Sequence, residues 1–142
     1  MAISELPKKI QLRIVTPERS LVSEEVDELV VPGVDGYLGA LPGHTPLLTS
    51  LKIGEIKYRS GHAWSYLAVS WGFVEILPER VTILADVAER AEEIDVERAR
   101  AAKERAETKL KNPDAEFLQA QIALQHALVR LQVAAKAAPL PH

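Results

Sequence analysis

Twelve charged side chains crowd the stretch from Glu89 to Glu107: Glu89, Arg90, Glu92, Glu93, Asp95, Glu97, Arg98, Arg100, Lys103, Glu104, Arg105 and Glu107. The run is dense and mixed in sign. Such a run is the solvated face of a helix, in which an i,i+4 pair such as Glu107 with Lys111 contributes only about 0.2–0.5 kcal/mol. Asp95 stands apart, because a short carboxylate just before a helical run can accept a hydrogen bond from the exposed amides of the first turn. The other reactive residue types form no constellation. His44, His62, His126 and His142 show no paired metal-ligand spacing. The serines lie outside any G-x-S-x-G elbow, and Asp86 joins no serine and histidine in a recognisable pattern. No G-x-x-x-x-G-K-[ST] loop is present to cradle phosphates for cleavage, and the chain has no cysteine for thiolate chemistry, disulfides or a thiolate zinc site. An enzyme reading therefore has no catalytic group to rest on, and the chain reads as having no catalytic and no metal-binding residues.

The elements that position these charges fall into two parts. In a chain of 142 residues, 47% of them apolar, there is room for one ordinary domain or a small one with an appendage. From residue 1 to about 88 the pattern is that of short strands. Ile10–Ile14 alternates apolar and polar with period two, Thr16–Arg19 is turn chemistry, and Leu21–Val22, Val26 and Leu29–Val31 continue in the same manner. Ile53–Arg59 and Ala63–Val69 flank the turn Ser60-Gly61-His62, which puts Trp64 and Tyr66 on one face. Gly72–Leu77 and Val81–Ala85 flank Pro78-Glu79-Arg80, with apolar residues too dense for a sheet edge. These strands predict a small all-β sandwich over residues 1–88.

Residues 89–142 predict a linker and a C-terminal antiparallel helical hairpin, so the fold class is α+β. Between Ala88 and Ala138 there is no glycine and one proline. Asp95 is expected to cap a first helix carrying Val96, Ala99, Ala102, Ala106 and Leu110 on one face and ending near Lys111. Asn112-Pro113-Asp114 is expected to restart a second helix at once. That helix carries a wider apolar surface, from Phe117 to Val133, than its alanine-rich partner can cover. Close helix approach over little buried area, beside a spare apolar face, fits an element that docks in one state and opens in another.

Between the strands lies Val31–Gly54, V-P-G-V-D-G-Y-L-G-A-L-P-G-H-T-P-L-L-T-S-L-K-I-G, where glycine and proline recur too often for a helix or an uninterrupted strand. It is expected to be a multiply turned connection in which Leu38, Leu41, Leu47, Leu48 and Leu51 pack. The stretch resembles the N-terminal domain of the epsilon subunit of bacterial F-type ATP synthases, and the similarity continues through Ala85-Asp86 and Ile94–Ala99 to nearly the whole chain. The resemblance implies a non-catalytic rotor subunit of the central stalk. Its sandwich would contact the gamma subunit and the membrane c-subunit ring, with the His44 loop facing the ring and Tyr37 standing where some members carry an acid. Its hairpin would be a latch that, when extended along gamma, reaches the alpha and beta subunits and blocks ATP hydrolysis. Arg130 and Lys136 are the basic residues that the second helix offers for that contact.

The segment I-D-V-E-R-A, Ile94–Ala99, resembles the motif with which some bacterial epsilon subunits bind regulatory ATP. By that resemblance Asp95 and Arg98 would hold the nucleotide, Ala99 would leave room beside it, Glu89 would serve from the linker, and Arg105 and Arg130 would face the phosphates. Arginine suits that task because its planar fork donates several hydrogen bonds to phosphate oxygens. His126 stands where nucleotide-binding relatives carry another arginine. No cofactor is required in this reading, and Asp95 remains open to both roles, nucleotide ligand or plain helix cap. A free-standing ATP-sensing or adaptor module is the competing reading. Nucleic acid is not expected as a partner, given a net charge of −3. The first residues lack the apolar segment of a secretory signal, and no run of apolar residues is long enough to cross a bilayer. The resemblance places the chain at the cytoplasmic face of the bacterial membrane, attached through other subunits and not inserted itself.

Overall fold

The computed structural model describes residues 6–112 and 116–137. Eight strands come first: β1 (Ile10–Val15), β2 (Ser20–Val26), β3 (Glu28–Gly33), β4 (Gly36–Ala40), β5 (Leu47–Leu51), β6 (Gly54–Ser60), β7 (Ala63–Ile76) and β8 (Arg80–Arg90). A short 3₁₀ turn, Ala91–Glu93, leads to α1 (Val96–Leu110) and α2 (Phe117–Ala134). The strands form a β-sandwich whose sheet runs β2-β1-β8-β7-β5-β3-β4, with β6 closing between β3 and β7. All pairings are antiparallel except β1 with β8. The alternation seen in β1 works as period two requires: Ile10, Leu12 and Ile14 are buried while Gln11 and Arg13 face water. Those residues join Ile56, Leu67, Val74, Ile76, Val81 and Ile83 in one apolar core between the layers.

Three expectations need correction. The Val31–Gly54 stretch is not only a turned connection. It contains β4, which pairs back on β3 with Val31 opposite Leu38, and β5, which pairs with β7. Gly36, at φ +126, supplies the reversal before β4. Its leucines are also not all packed, because strand alternation sends only some inward: Leu51 is buried, whereas Leu41 and Leu48 are 58% and 70% exposed. Second, Ala63–Val69 and Gly72–Leu77 are not separate strands but the two arms of the 14-residue β7. The kink between them is made by Trp71 at φ 58 and Gly72 at φ 131, and the pairing with β8 keeps one register on both sides. Gly72 is obligatory there, since a Cβ would lie 2.0 Å from the Leu84 carbonyl oxygen. Third, Asn112 does not cap an immediate second helix; Glu116 occupies that position and α2 starts at Phe117. Pro113 and Asp114, expected to begin that helix, lie outside the described residues, as do His142 and the first five residues.

The hairpin itself packs by small residues. Ala99 and Ala106 of α1 and Ala120 and Ala127 of α2 are buried, which lets the helices approach closely. Val133 at the far end of α2 is fully buried against Ala68, Ala91 and Ile94. The hairpin therefore lies folded against the sandwich.

Candidate functional site

The seam between α2 and the sandwich is where polar side chains concentrate. β8 brings Glu89 beside Ala68 of β7, on the sheet face turned toward α2. One helical turn apart on α2, His126 and Arg130 point to that face, as the i,i+4 spacing dictates. Arg130 Nε donates to Glu89 Oε1 at 2.7 Å and Nη2 to Oε2 at 3.0 Å, a bidentate pair. His126 Nδ1 lies 2.6 Å from the Ser70 hydroxyl oxygen. Desolvation by burial holds the His126 imidazole below its usual protonation range; the nearby Arg130 cation adds to this, and Glu89 only partly opposes it. Just past the end of α2, Lys136 Nζ donates to both Glu55 carboxylate oxygens at 2.7 and 2.9 Å, and the ammonium lies 5.1 Å from the Tyr66 ring centroid. The Glu55 backbone N–H in turn donates to the Tyr37 phenol oxygen at 3.0 Å. Three polar contacts thus clamp one face of α2.

Serine, histidine and glutamate meet here, but not as hydrolytic machinery. Ser70 is buried beneath α2, and Arg130 occupies both oxygens of Glu89, so that carboxylate is not free to orient an imidazole. Among the described residues no group of three or more His, Asp or Glu side chains is arranged to hold a metal ion.

The residues expected around a nucleotide fall into separate groups. Asp95 Oδ1 accepts from the Arg98 N–H at 3.1 Å, which makes it the N-cap of α1. Ala99 is fully buried in the helix interface. Arg98 and Arg105 are exposed, with no ion pair to another described residue. Arg105 lines an open cleft of about 550 Å³ with Lys109, Asn112, Glu116 and Gln119, between the end of α1 and the start of α2. Arg130 is not part of it, being seven residues and so ~10 Å along α2 from Ala123, which does line the cleft. The structure therefore joins Glu89 with Arg130 and Asp95 with Arg98, and it sets Arg105 apart. Ser70 and Glu55 complete the clamp without belonging to any motif. The one local signal for each is a polar residue amid apolar neighbours in a strand.

The sandwich leaves two apolar surfaces in water. On β7 and β8 the register partners Phe73 and Leu84, with Trp71 and Val87 nearby, are all at least 45% exposed. At one end of the sandwich are Leu41 and Leu48, where the loop is fixed by Gly43 N–H donating to Pro78 O at 2.7 Å and the His44 ring contacting Thr45 O. Such patches on one small domain mark contact sites. Among the described residues no helix is long and apolar enough to cross a membrane.

Comparison with known proteins gives the same two parts. Residues 9–91 match the beta-sandwich domain of the ATP synthase delta/epsilon chain family, and residues 92–135 match its long alpha-helix domain. The chain is 51% identical over 133 residues to the ATP synthase epsilon chain of Syntrophobacter fumaroxidans, covering 92% of this chain and 99% of that one. It is 48% identical over 134 residues to epsilon chain 2 of Syntrophotalea carbinolica, covering 92% and 97%. Among solved structures it resembles a chain in the Euglena gracilis mitochondrial ATP synthase, in an assembly of OSCP, F1 and c-ring. The TM-score is 0.81 at 27% identity, covering 95% of this chain and 86% of that one. A chain in the Tetrahymena thermophila mitochondrial ATP synthase shares the fold, with a TM-score of 0.57 at 14% identity.

Proposed function

The chain belongs to the ATP synthase delta/epsilon chain family and is a non-catalytic rotor subunit of that enzyme; from this premise we propose how its two parts divide the work. The sandwich is the coupling element. Its exposed Trp71, Phe73, Leu84 and Val87 face packs against the gamma subunit, and the end bearing Leu41, His44 and Leu48 meets the membrane c-subunit ring. The chain is held in this way at the cytoplasmic face of the membrane, through protein contacts and without inserting. What supports this reading above all is the β7–β8 apolar face, which a free-standing sensor or adaptor has no reason to keep uncovered.

The hairpin is the regulatory element. Folded on the sandwich it leaves the enzyme free to turn over; released, it extends along gamma toward the alpha and beta subunits and blocks ATP hydrolysis. The support is in how it is held. Alanines and three polar contacts bind α2 to its own chain, while Phe117, Leu118, Ile122 and Leu128 stay exposed for another surface. Regulatory ATP belongs to the same proposal, through the exposed guanidinium of Arg98 beside the amide end of α1 and through Arg105. The test is to assemble the synthase with and without this chain and measure proton-coupled ATP synthesis. Loss of coupling without it is expected, and full coupling and assembly in its absence would sink the reading.

A further inference from the structure

We infer that the contact of His126 with Ser70 makes docking of α2 acid-sensitive, so that the hairpin is held at neutral and alkaline pH and released as pH falls. This rests on the reading of the hairpin as a latch. The Ser70 hydroxyl, from β7, is buried, and at 2.6 Å from Nδ1 it can donate to the neutral imidazole. A protonated Nδ1 carries its own hydrogen and turns the hydroxyl into an acceptor, in a seam that then holds an extra charge.

The surrounding groups do not welcome that charge. From α2 itself the cation of Arg130 lies one turn away. From β8 the only facing acid is Glu89, whose two oxygens already accept from Arg130. From β6, Glu55 is held by Lys136. The 3₁₀ turn offers Glu93, which pairs with Arg19. α1 presents Ala99 and Ala106 to α2; its cations Arg105 and Lys109 line the cleft beside Ala120 and Ala123, while Arg100 pairs with Glu97 and Lys103 lies near Glu107. Burial and Arg130 thus disfavour the charged form of His126 while α2 is docked, and in the open hairpin it regains its ordinary value near 6.5. The docked form binds the proton less well. Its stabilisation is therefore complete above that ordinary value and lost as pH falls below it toward the lowered docked value.

The test uses the full chain. Because it has no cysteine, spin labels can be placed singly through Glu79→Cys on the sandwich and Gln132→Cys on α2, and their separation followed by pulsed electron resonance from pH 8 to pH 5.5. Expected is one narrow distance distribution at pH 8 and a growing second population in acid, rising by at most about tenfold per pH unit for one proton. With His126→Gln, which keeps an amide near Ser70 but cannot titrate, the distribution should not change with pH. Arg130→Ala serves as the separate check on the latch. If Arg130→Ala opens the hairpin while the unsubstituted chain stays closed throughout, acid sensing is overturned and the latch stands. If neither opens, both fall; equal acid opening with and without His126→Gln assigns the effect to another group and overturns the proposal.

Discussion

Arg130 and Glu89 meet as a planar two-bond pair across the seam between α2 and β8, 2.7 and 3.0 Å apart, with neither side chain more than 24% exposed. A pair this enclosed is costly to break on one side only, because the remaining ion stays desolvated without its partner. Arg130→Ala and Glu89→Ala should each loosen docking of α2 by about 2 kcal/mol, the scale of hydrogen bonds to charged groups, and the double substitution by clearly less than their sum. Hydrogen exchange reads this directly. Amides of α2 should exchange roughly thirtyfold faster at 2 kcal/mol, while those of β1 and β8 hold their protection. Additive losses would mean that the two side chains act independently.

The kink in β7 makes a sharper demand on sequence. Gly72→Ala must place a methyl 2.0 Å from the Leu84 carbonyl oxygen at a backbone angle of φ +131, so β7 and β8 have to separate. The loss should reach roughly 3 kcal/mol in urea denaturation. Gly61→Ala is the control, since Gly61 has φ +65 but nothing within 4 Å. It should cost only about 1 kcal/mol, the intrinsic penalty of a left-handed conformation. Equal losses would show that conformation alone, and not contact with Leu84, requires glycine at the kink.

These two sites also mark where the sequence could be read and where it could not. β1, β6 and the start of α1 depend on neighbours within a few residues, so the alternation of Ile10, Leu12 and Ile14 and the capping role of Asp95 are visible locally. β4 is hidden because two of its five residues are glycine and its order comes from pairing with β3, not from its own propensity. Trp71-Gly72 looks like a strand end because positive φ normally ends one, and only the unbroken register with β8 shows that it bends the strand. Ser70 and Glu55 each show only a polar residue within a strand, and what it pairs with is hidden for another reason. Their partners His126 and Lys136 are 56 and 81 residues away, and nothing in a strand's own pattern tells which helix residue will cover it.

Phe73 and Leu84 are exposed register partners, so they can be charged without disturbing the core. Phe73→Glu with Leu84→Asp should leave the isolated chain folded, at a cost of about 1–2 kcal/mol from two like charges placed directly opposite in the sheet. Its incorporation into the synthase should fall by at least tenfold, because burying two unpaired carboxylates in an apolar contact is strongly unfavourable. Copurification of the variant with the gamma subunit measures this. Undiminished recovery would move the subunit contact to another face of the sandwich.

In the docked hairpin, the groups proposed for regulatory ATP are unequally available. Asp95 is engaged by the α1 amide, Ala99 is buried and Arg130 is committed to Glu89, whereas Arg98 and Arg105 remain exposed. A triphosphate bound between them would have to draw Arg130 from Glu89 or do without it. Calorimetric titration of the full chain with ATP and ADP, with and without magnesium, should give saturable ATP binding weakened about tenfold or more by Arg98→Ala, the scale of one lost charge-assisted contact. Glu89→Gln separates the two ways of binding. If ATP must take Arg130 from its partner, loosening the pair strengthens affinity; if Arg98 and Arg105 suffice, affinity does not change. Absence of ATP binding by the unsubstituted chain would leave Asp95 with only its capping role, and the hairpin would then respond to proton or rotor state instead of nucleotide.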